Sequence, residues 1–316
     1  MLPSVANVGV DMAKRDVILT TLHGVRFEYA ANFLASLRRT GYGGEVVIFA
    51  SGMADEDIAQ LRRNGATIVP FRMHRLFVRR RLAWLWTVWR WFFQSGAPPA
   101  ARERLAHLVF HLFYRRHLLY LQFLREHRED YSRVFLTDCR DVYFQADPFS
   151  WNLPFGVHLF LEDASNKIRG GIHADWLVSQ FGRAVFDELK AETISCAGTV
   201  LGDVNSVLEY LSKMVSLTMN AWSLRETAGD QGIHNYLVYK RILPGAIIHD
   251  NGRGPVMTLG AMRPQDVRLD PQSRVINDHN EIVPVLHQYD RIPHVEKILL
   301  DHLRGNLQKN KTATFE

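Results

Sequence analysis

The sequence predicts an α/β fold, one domain with a mostly parallel central sheet, flanking helices and a smaller C-terminal antiparallel part. Three observations carry this. Apolar strand-like runs alternate with amphipathic helical runs between residues 16 and 71, short loops connect them, and isolated strand signals with a hairpin turn close the chain. "DVILTTL" (16–22) reads as a buried strand. From Phe27 to Thr40 the residues Phe27, Ala30, Ala31, Leu34 and Leu37 recur at helical spacing, and "GYGG" ends the helix. "EVVIFAS" (45–51) is a second strand, "DEDIAQLRRNG" a short helix with acids in its first turn and Gly at its end, and "ATIVPF" (66–71) a third strand. A long helix from Glu103 to Asp130 runs into the strand "RVFLTD", and "VHLFLE" (157–162) follows as a strand. "WLVSQFGRAVFDELK" is helical, "TISCAGTVLGD" (193–203) strand-like, Val204 to Thr218 helical, and "DQGIHNYLVYKRIL" (230–243) a helix with an acidic start. "AIIHD", "VMTLGAM", "RVIND" and "IVPVLHQY" are short strands, with "DHNE" as a hairpin turn. The domain is expected over 14–303, and residues 304–316 form a polar tail expected to fray.

Composition bounds the function. A hydrophobic fraction of 47% with 22% charged residues builds a sizeable core and excludes a disordered chain. No apolar stretch approaches the ~20 residues that span a bilayer, and "MLPSVANVGVDMAKRD" has no apolar signal-like core. Two cysteines make no disulfide framework and fit a reducing compartment. A cytoplasmic protein is expected, with peripheral contact on the inner membrane face. The net charge of +5 attracts phosphates, anionic lipid or nucleic acid without choosing among them.

Residues 72–104 interrupt the strand–helix rhythm. From Arg72 to Arg102 they hold seven arginines, four tryptophans and no acidic residue, and Pro98-Pro99 stops the run. On a helical wheel Trp84 and Trp91 share a face, while Trp86 and Trp89 point elsewhere. One reading is a helix packed in the core with its arginines reaching outward. The other is a helix lying on an anionic membrane. No nucleic-acid motif accompanies the segment, so nucleic acid is not an expected partner.

The stretch "VFLTDCRDVYFQADPF" (134–149) drives an apolar run into Asp138, Asp141 and Asp147. Residues three apart on a strand face opposite ways, so Asp138 and Asp141 meet one ion only if the chain turns between them. Hard oxygen ligands at a strand end suit Mg²⁺ or Mn²⁺. The competing reading is a polar turn in which Asp138 pairs with Arg140 and Asp147 caps the bend before Pro148.

The same stretch resembles the region around the DxD motif of GT-A nucleotide-sugar glycosyltransferases, here with DxxD spacing and Cys139 two positions before Asp141. "DVILTTLHGVRFEYAANFLASLRRTGYGGEVVIFAS" is similar to the nucleotide-binding opening of that class, "ISCAGTVLGD" to its glycine-containing pocket segment, "GDQGIHNYLVY" to its Asp-Gln helix start, and "VPVLHQYDR" to its metal-histidine strand. The resemblance covers most of residues 16–292. It implies a GT-A-like, Mn²⁺- or Mg²⁺-dependent transferase moving a sugar from UDP- or GDP-sugar to a saccharide or lipid-linked acceptor. It implies Asp138, Asp141 and His287 as metal ligands, and Thr20, Thr21, Arg116, Asp138 and Gly198 as contacts of the nucleotide sugar. Asp230, Gln231 and Glu162 become the candidate catalytic groups. Arg115 or Arg116 could reach the diphosphate, and Gly198 would let a sugar approach the backbone. The DxxD spacing leaves open whether Asp138 meets the metal or the ribose. Rival readings are a metal-dependent phosphoesterase or nucleotidyltransferase on the same carboxylates, and a non-enzymatic membrane- or nucleic-acid-binding protein using residues 72–104.

Overall fold

Polar residues gather at the carboxyl end of one strand of a mostly parallel sheet, beside its antiparallel neighbour. The computed structural model describes residues 14–73, 85–224 and 229–312, with side chains up to residue 305. β1 (Arg15–His23), β2 (Glu45–Ser51), β3 (Ala66–Pro70) and β4 (Tyr131–Thr137) run parallel in the order β3-β2-β1-β4. The chain winds outward from β1 to β3 and then crosses to β4 on the other side of β1, a strand-order reversal that marks the usual ligand crevice of open α/β sheets. β6 (Val157–Leu161), β7 (Ser195–Asp203) and β8 (Ile247–His249) complete a seven-stranded sheet, with β7 antiparallel to both β4 and β6 and β8 parallel to β6. Four pairings are parallel and two antiparallel, so the sheet is mostly parallel.

Strand alternation sorts the core into two layers. Ile18 and Leu22 of β1 pack with Phe33, Leu34 and Leu37 of α1 (Glu28–Arg39) and Leu61 of α2 (Asp55–Arg63). Val17 and Leu19 face the opposite layer, where Leu118 and Leu121 of α5 (Leu112–Glu126), Tyr210 of α8 (Val204–Asn220) and Leu237 of α9 (Asp230–Tyr239) are buried. These runs contain the apolar positions that periodicity picked out.

Several expected elements take another form. The long helix expected over 103–130 is two helices, α4 (Pro99–Val109) and α5, with Phe110 in an extended conformation between them. Neither Gly nor Pro causes the break. The Phe110 ring sits 6.1 Å from Phe93 and 6.4 Å from both Trp86 and Tyr114, and this aromatic contact is made only if the chain turns there. Pro99, expected to stop the preceding segment, also starts α4 at a position where its missing N–H has no helical partner to lose. The helix expected over 176–190 divides into α6 (Gly171–Phe181) and α7 (Arg183–Leu189) at Gly182, whose φ of 89° favours glycine.

The C-terminal part is mixed rather than antiparallel. β12 (Val285–His287) lies between β5 (Val142–Phe144), to which it is antiparallel, and β9 (Val256–Thr258), to which it is parallel. β10 (Arg268–Leu269) and β11 (Val275–Ile276) pair antiparallel, and Ile276 bridges to Ile282 across "DHNE". A helix that strand-type reading missed, α10 (Pro293–Thr312), buries Val295, Leu299 and Leu303 at helical spacing. It continues through the region expected to fray.

Of the basic-aromatic segment, residues 74–84, including Trp84, lie outside the described residues. α3 (Leu85–Gln94) presents Trp86 and Trp89 to the core, and Trp86 Nε1 donates to the Ala221 carbonyl at 2.9 Å. Trp91 points away and is 71% exposed, as the helical wheel requires. No described helix is long and apolar enough to cross a membrane.

Candidate active site

Two ladder registers bring the acidic pair to the histidine. Asp138 follows β4 and donates its N–H to the Gly198 carbonyl at 2.9 Å, which extends the β4–β7 ladder by one residue. The chain turns over Cys139 and Arg140, and Asp141 precedes β5. Val142 of β5 pairs with His287 of β12, so Asp141 arrives beside that imidazole. His287 Nε2 lies 3.6 Å from Asp138 Oδ2 and 3.9 Å from Asp141 Oδ1. One ligand atom from each of the three residues falls within 4.8 Å of the others. The turn that strand geometry demanded is therefore present. The expected Asp138–Arg140 pair is not: Arg140 reaches Asp290 at 3.2 Å, and Arg116 takes Asp138. Asp147 does cap the bend, accepting the Phe149 N–H at 2.8 Å.

The residues fit a divalent cation on three counts. His287 Nε2 is buried, has no hydrogen-bond partner among the described residues and is directed at the carboxylates. Its other nitrogen, Nδ1, lies 3.2 Å from Thr258 Oγ1 and 3.4 Å from Cys196 Sγ, contacts that fix the ring orientation as outer partners of metal-binding histidines do. Third, a Cβ on Gly198 would stand 2.4 Å from Asp138 Oδ2 and 3.1 Å from His287 Nε2, so only glycine leaves this space free. Two carboxylates and an imidazole suit Mg²⁺ or Mn²⁺. Burial, opposed by His287, pushes the Asp141 carboxyl up, whereas in Asp138 the same effect is overcome by Arg116 and His287, which hold it well below the usual carboxylate range.

Arg116 joins this cluster to the opposite carboxylate. Its Nη1 donates to Asp138 at 2.5 Å, its Nη2 to Asp230 at 2.7 Å and to the Ala197 carbonyl at 3.3 Å, and its guanidinium lies over the Phe113 ring. Burial pushes Asp230 up to about 6 against the pull of Arg116. The first turns of α9 are fastened to β7. Gln231 Oε1 accepts the Ala197 N–H at 2.9 Å, and its Nε2 donates to the Ser195 carbonyl. Asn235 Oδ1 accepts the Ser195 N–H at 2.9 Å, and His234 joins Ser195 Oγ to Tyr210. Gln231, expected to act on the sugar, is thus engaged at both ends of its amide by the strand. Glu162, at the end of β6, accepts from Asn166 Nδ2 at 2.6 Å, and burial raises its carboxyl above the ordinary range.

A cleft of about 250 Å³ unites these groups, lined by Arg116, Asp138, Glu162, Gly198, Asp230, Gln231 and His287. Thr20 and Thr21 do not line it. Thr20 is fully buried, and Thr21 Oγ1 lies 2.6 Å from Tyr120 Oη. Phe113, Asn166, His173, Trp176 and Gln288 also line the cleft. Sequence pattern had no signal for them: Trp176 reads as an apolar helix position, and Asn166 as a loop residue. The Trp176 and His173 rings meet edge-on at 5.1 Å, and Trp176 Nε1 and His173 Nδ1 have no hydrogen-bond partner among the described residues.

No protein-family model matches the chain, and no curated protein matches its sequence.

Two outcomes test this geometry. Gly198→Ala should weaken Mn²⁺ binding by at least about tenfold in calorimetry, because the added methyl must displace Asp138 or His287; unchanged affinity would refute a cation held by this cluster. The folded chain keeps the Asp230 proton up to about pH 6, against ~3.9 for an unperturbed Asp, so ionising it lowers stability as pH rises through that window. Urea unfolding should therefore show wild type losing stability relative to Asp230→Asn between about pH 4 and 6, with a constant difference above. Parallel curves would contradict a raised Asp230.

Proposed function

We propose that the chain is a metal-dependent glycosyltransferase that moves a sugar from a UDP- or GDP-sugar to a saccharide or lipid-linked acceptor. The observation that carries this reading is that Asp138 and His287, two members of the Asp138–Asp141–His287 cluster, line one cleft with two further carboxylates, Asp230 and Glu162, at the carboxyl end of β4. In such a transfer the bond between the anomeric carbon and the diphosphate breaks, a bond to the acceptor oxygen forms, and the acceptor proton passes to a base. A divalent cation held by Asp138, Asp141 and His287 would neutralise charge building on the departing diphosphate. Arg116 holds Asp138 and Asp230 at fixed positions. Its terminal nitrogens are already engaged, so its task is to orient these carboxylates.

Glu162 is the proton acceptor in this reading. It lines the cleft, its side-chain donor among the described residues is the neutral amide of Asn166, and burial gives it a raised affinity for a proton. Asp230 remains a carboxylate paired with Arg116 beside the sugar. Gly198 keeps the strand backbone open to close approach; Trp176 Nε1, a donor, and His173 Nδ1, a donor or acceptor by tautomer, have no partner among the described residues and suit sugar hydroxyls. A neutral sugar with many hydroxyls fits this wall better than a second phosphate would. That observation favours transfer over the phosphoesterase reading.

Peripheral contact with an anionic membrane at the cytoplasmic face belongs to the same proposal. Val88 and Trp91 are exposed on one side of α3, in a stretch of sequence with an excess of arginine.

Melting curves with UDP- and GDP-sugars should rise only when Mn²⁺ or Mg²⁺ is present, since a ligand bound by the folded state alone stabilises it. Asp141→Ala should abolish that rise, and transfer to an added saccharide should exceed release of free sugar. A metal-independent rise, or hydrolysis alone, would defeat the proposal. For the membrane part, cosedimentation with phosphatidylserine vesicles should fall in Trp91→Ala; equal binding would remove α3 from it.

A further inference from the structure

Two neighbouring arginines of α5 have opposite surroundings. Arg116 is neutralised by Asp138 and Asp230. Arg115 is equally withdrawn from solvent, with 4% of its surface exposed, yet no carboxylate pairs with it among the described residues. Among the described residues its Nε has no hydrogen-bond partner, and its Nη1 reaches the Met73 sulfur at 3.8 Å. The guanidinium lies 5.5 Å from the centre of the Phe71 ring. A ring face and a thioether return only a fraction of the solvation that a buried guanidinium loses. The adjoining segment supplies no relief by its sequence, because residues 72–102 contain no acid.

The location explains what could supply the missing charge. Phe71 donates its N–H to the Ala50 carbonyl and so sits at the carboxyl ends of β2 and β3. α5 brings its first turns to that same end of the sheet: Arg116 reaches Asp138 just past β4, and Tyr120 meets Thr21 of β1. The positive end of the helix dipole therefore adds to the Arg115 charge. Neutral aromatic and sulfur neighbours do not compete for a planar, two-pronged donor that matches an oxyanion.

We propose that Arg115 binds a phosphoryl oxyanion at the β2–β3 edge, a second anion site distinct from the Asp138–Asp141–His287 cluster. The assignment rests on the pairing of Arg115 and does not depend on sugar transfer. The oxyanion comes either from the nucleotide diphosphate or from the phosphate of a lipid-linked acceptor, and these sources are separable.

Calorimetry with inorganic pyrophosphate, without divalent cation, should show binding to the wild type. Arg115→Met should weaken it at least tenfold, while the ligand-free variant melts at the same temperature or higher, because an unpaired buried charge has been removed. Arg115→Lys should retain part of the binding, and it carries the test should the methionine variant not fold. If UDP with Mn²⁺ weakens in parallel with pyrophosphate, the oxyanion is the nucleotide's. If UDP binding holds while a short prenyl phosphate loses affinity, it is the acceptor's. Asp141→Ala separates the two proposals, since it should leave metal-free pyrophosphate binding intact. Pyrophosphate binding unchanged in both Arg115 variants, or a lowered melting temperature with binding retained, would overturn the assignment and leave Arg115 a packing residue.

Discussion

The pairing of His287 with Val142 is the constraint on which the site depends. β12 is three residues long and sits between β5 and β9, so its ladder hydrogen bonds set the imidazole position to within one residue. A slip by one would turn His287 to the other side of its sheet and place its neighbour beside Asp141. The bond from Asp138 N–H to Gly198 does the same for the other carboxylate. Strand pairing thus locates three polar side chains drawn from positions 138 to 287, and none of them needs a flexible loop to arrive.

Charge balance is the second layer. Asp138, Asp141, Asp230, Arg116 and His287 are brought into one small volume, and each is tolerated because another lies within reach. Removing one member of a buried ion network costs about 3–5 kcal/mol, because the remaining charge stays desolvated. The fastening of α9 to Ser195 and Ala197 by Gln231 and Asn235 keeps Asp230 in line with Arg116. Against this balanced network, the unpaired Arg115 is the exception, and rules of burial broken locally tend to mark where a ligand acts.

Much of the fold was legible in the sequence for simple reasons. β2 follows "EVVIFAS" residue for residue, because an apolar run buried on both faces has sharp polar ends. α1, α2 and α8 begin and end within a few residues of their caps and glycines. The elements that escaped were those in which long-range contact overruled local pattern. Phe110 breaks a helix to join Phe93 and Tyr114, and α10 was hidden among short-strand signals although Val295, Leu299 and Leu303 keep helical spacing. In the site, Asp138, Asp141 and His287 were read as a set and meet as one. Thr20 and Thr21 were read as ligand contacts; neither lines the cleft, Thr20 being buried and Thr21 lying against the Tyr120 hydroxyl.

By itself the sequence determined the period of most elements up to residue 243, the acidic end of β4 and the absence of any acid within residues 72–102. Those are properties of consecutive residues, and hydrophobic burial and chain stiffness read them locally. Only the tertiary structure decided which charges meet. Arg116 rather than Arg140 pairs with Asp138, Gln231 serves a strand, and Arg115 has no counter-charge among the described residues. Such partnerships depend on distances of a few ångströms between residues far apart in the chain, because Coulomb energy and desolvation follow separation in space and not order in sequence.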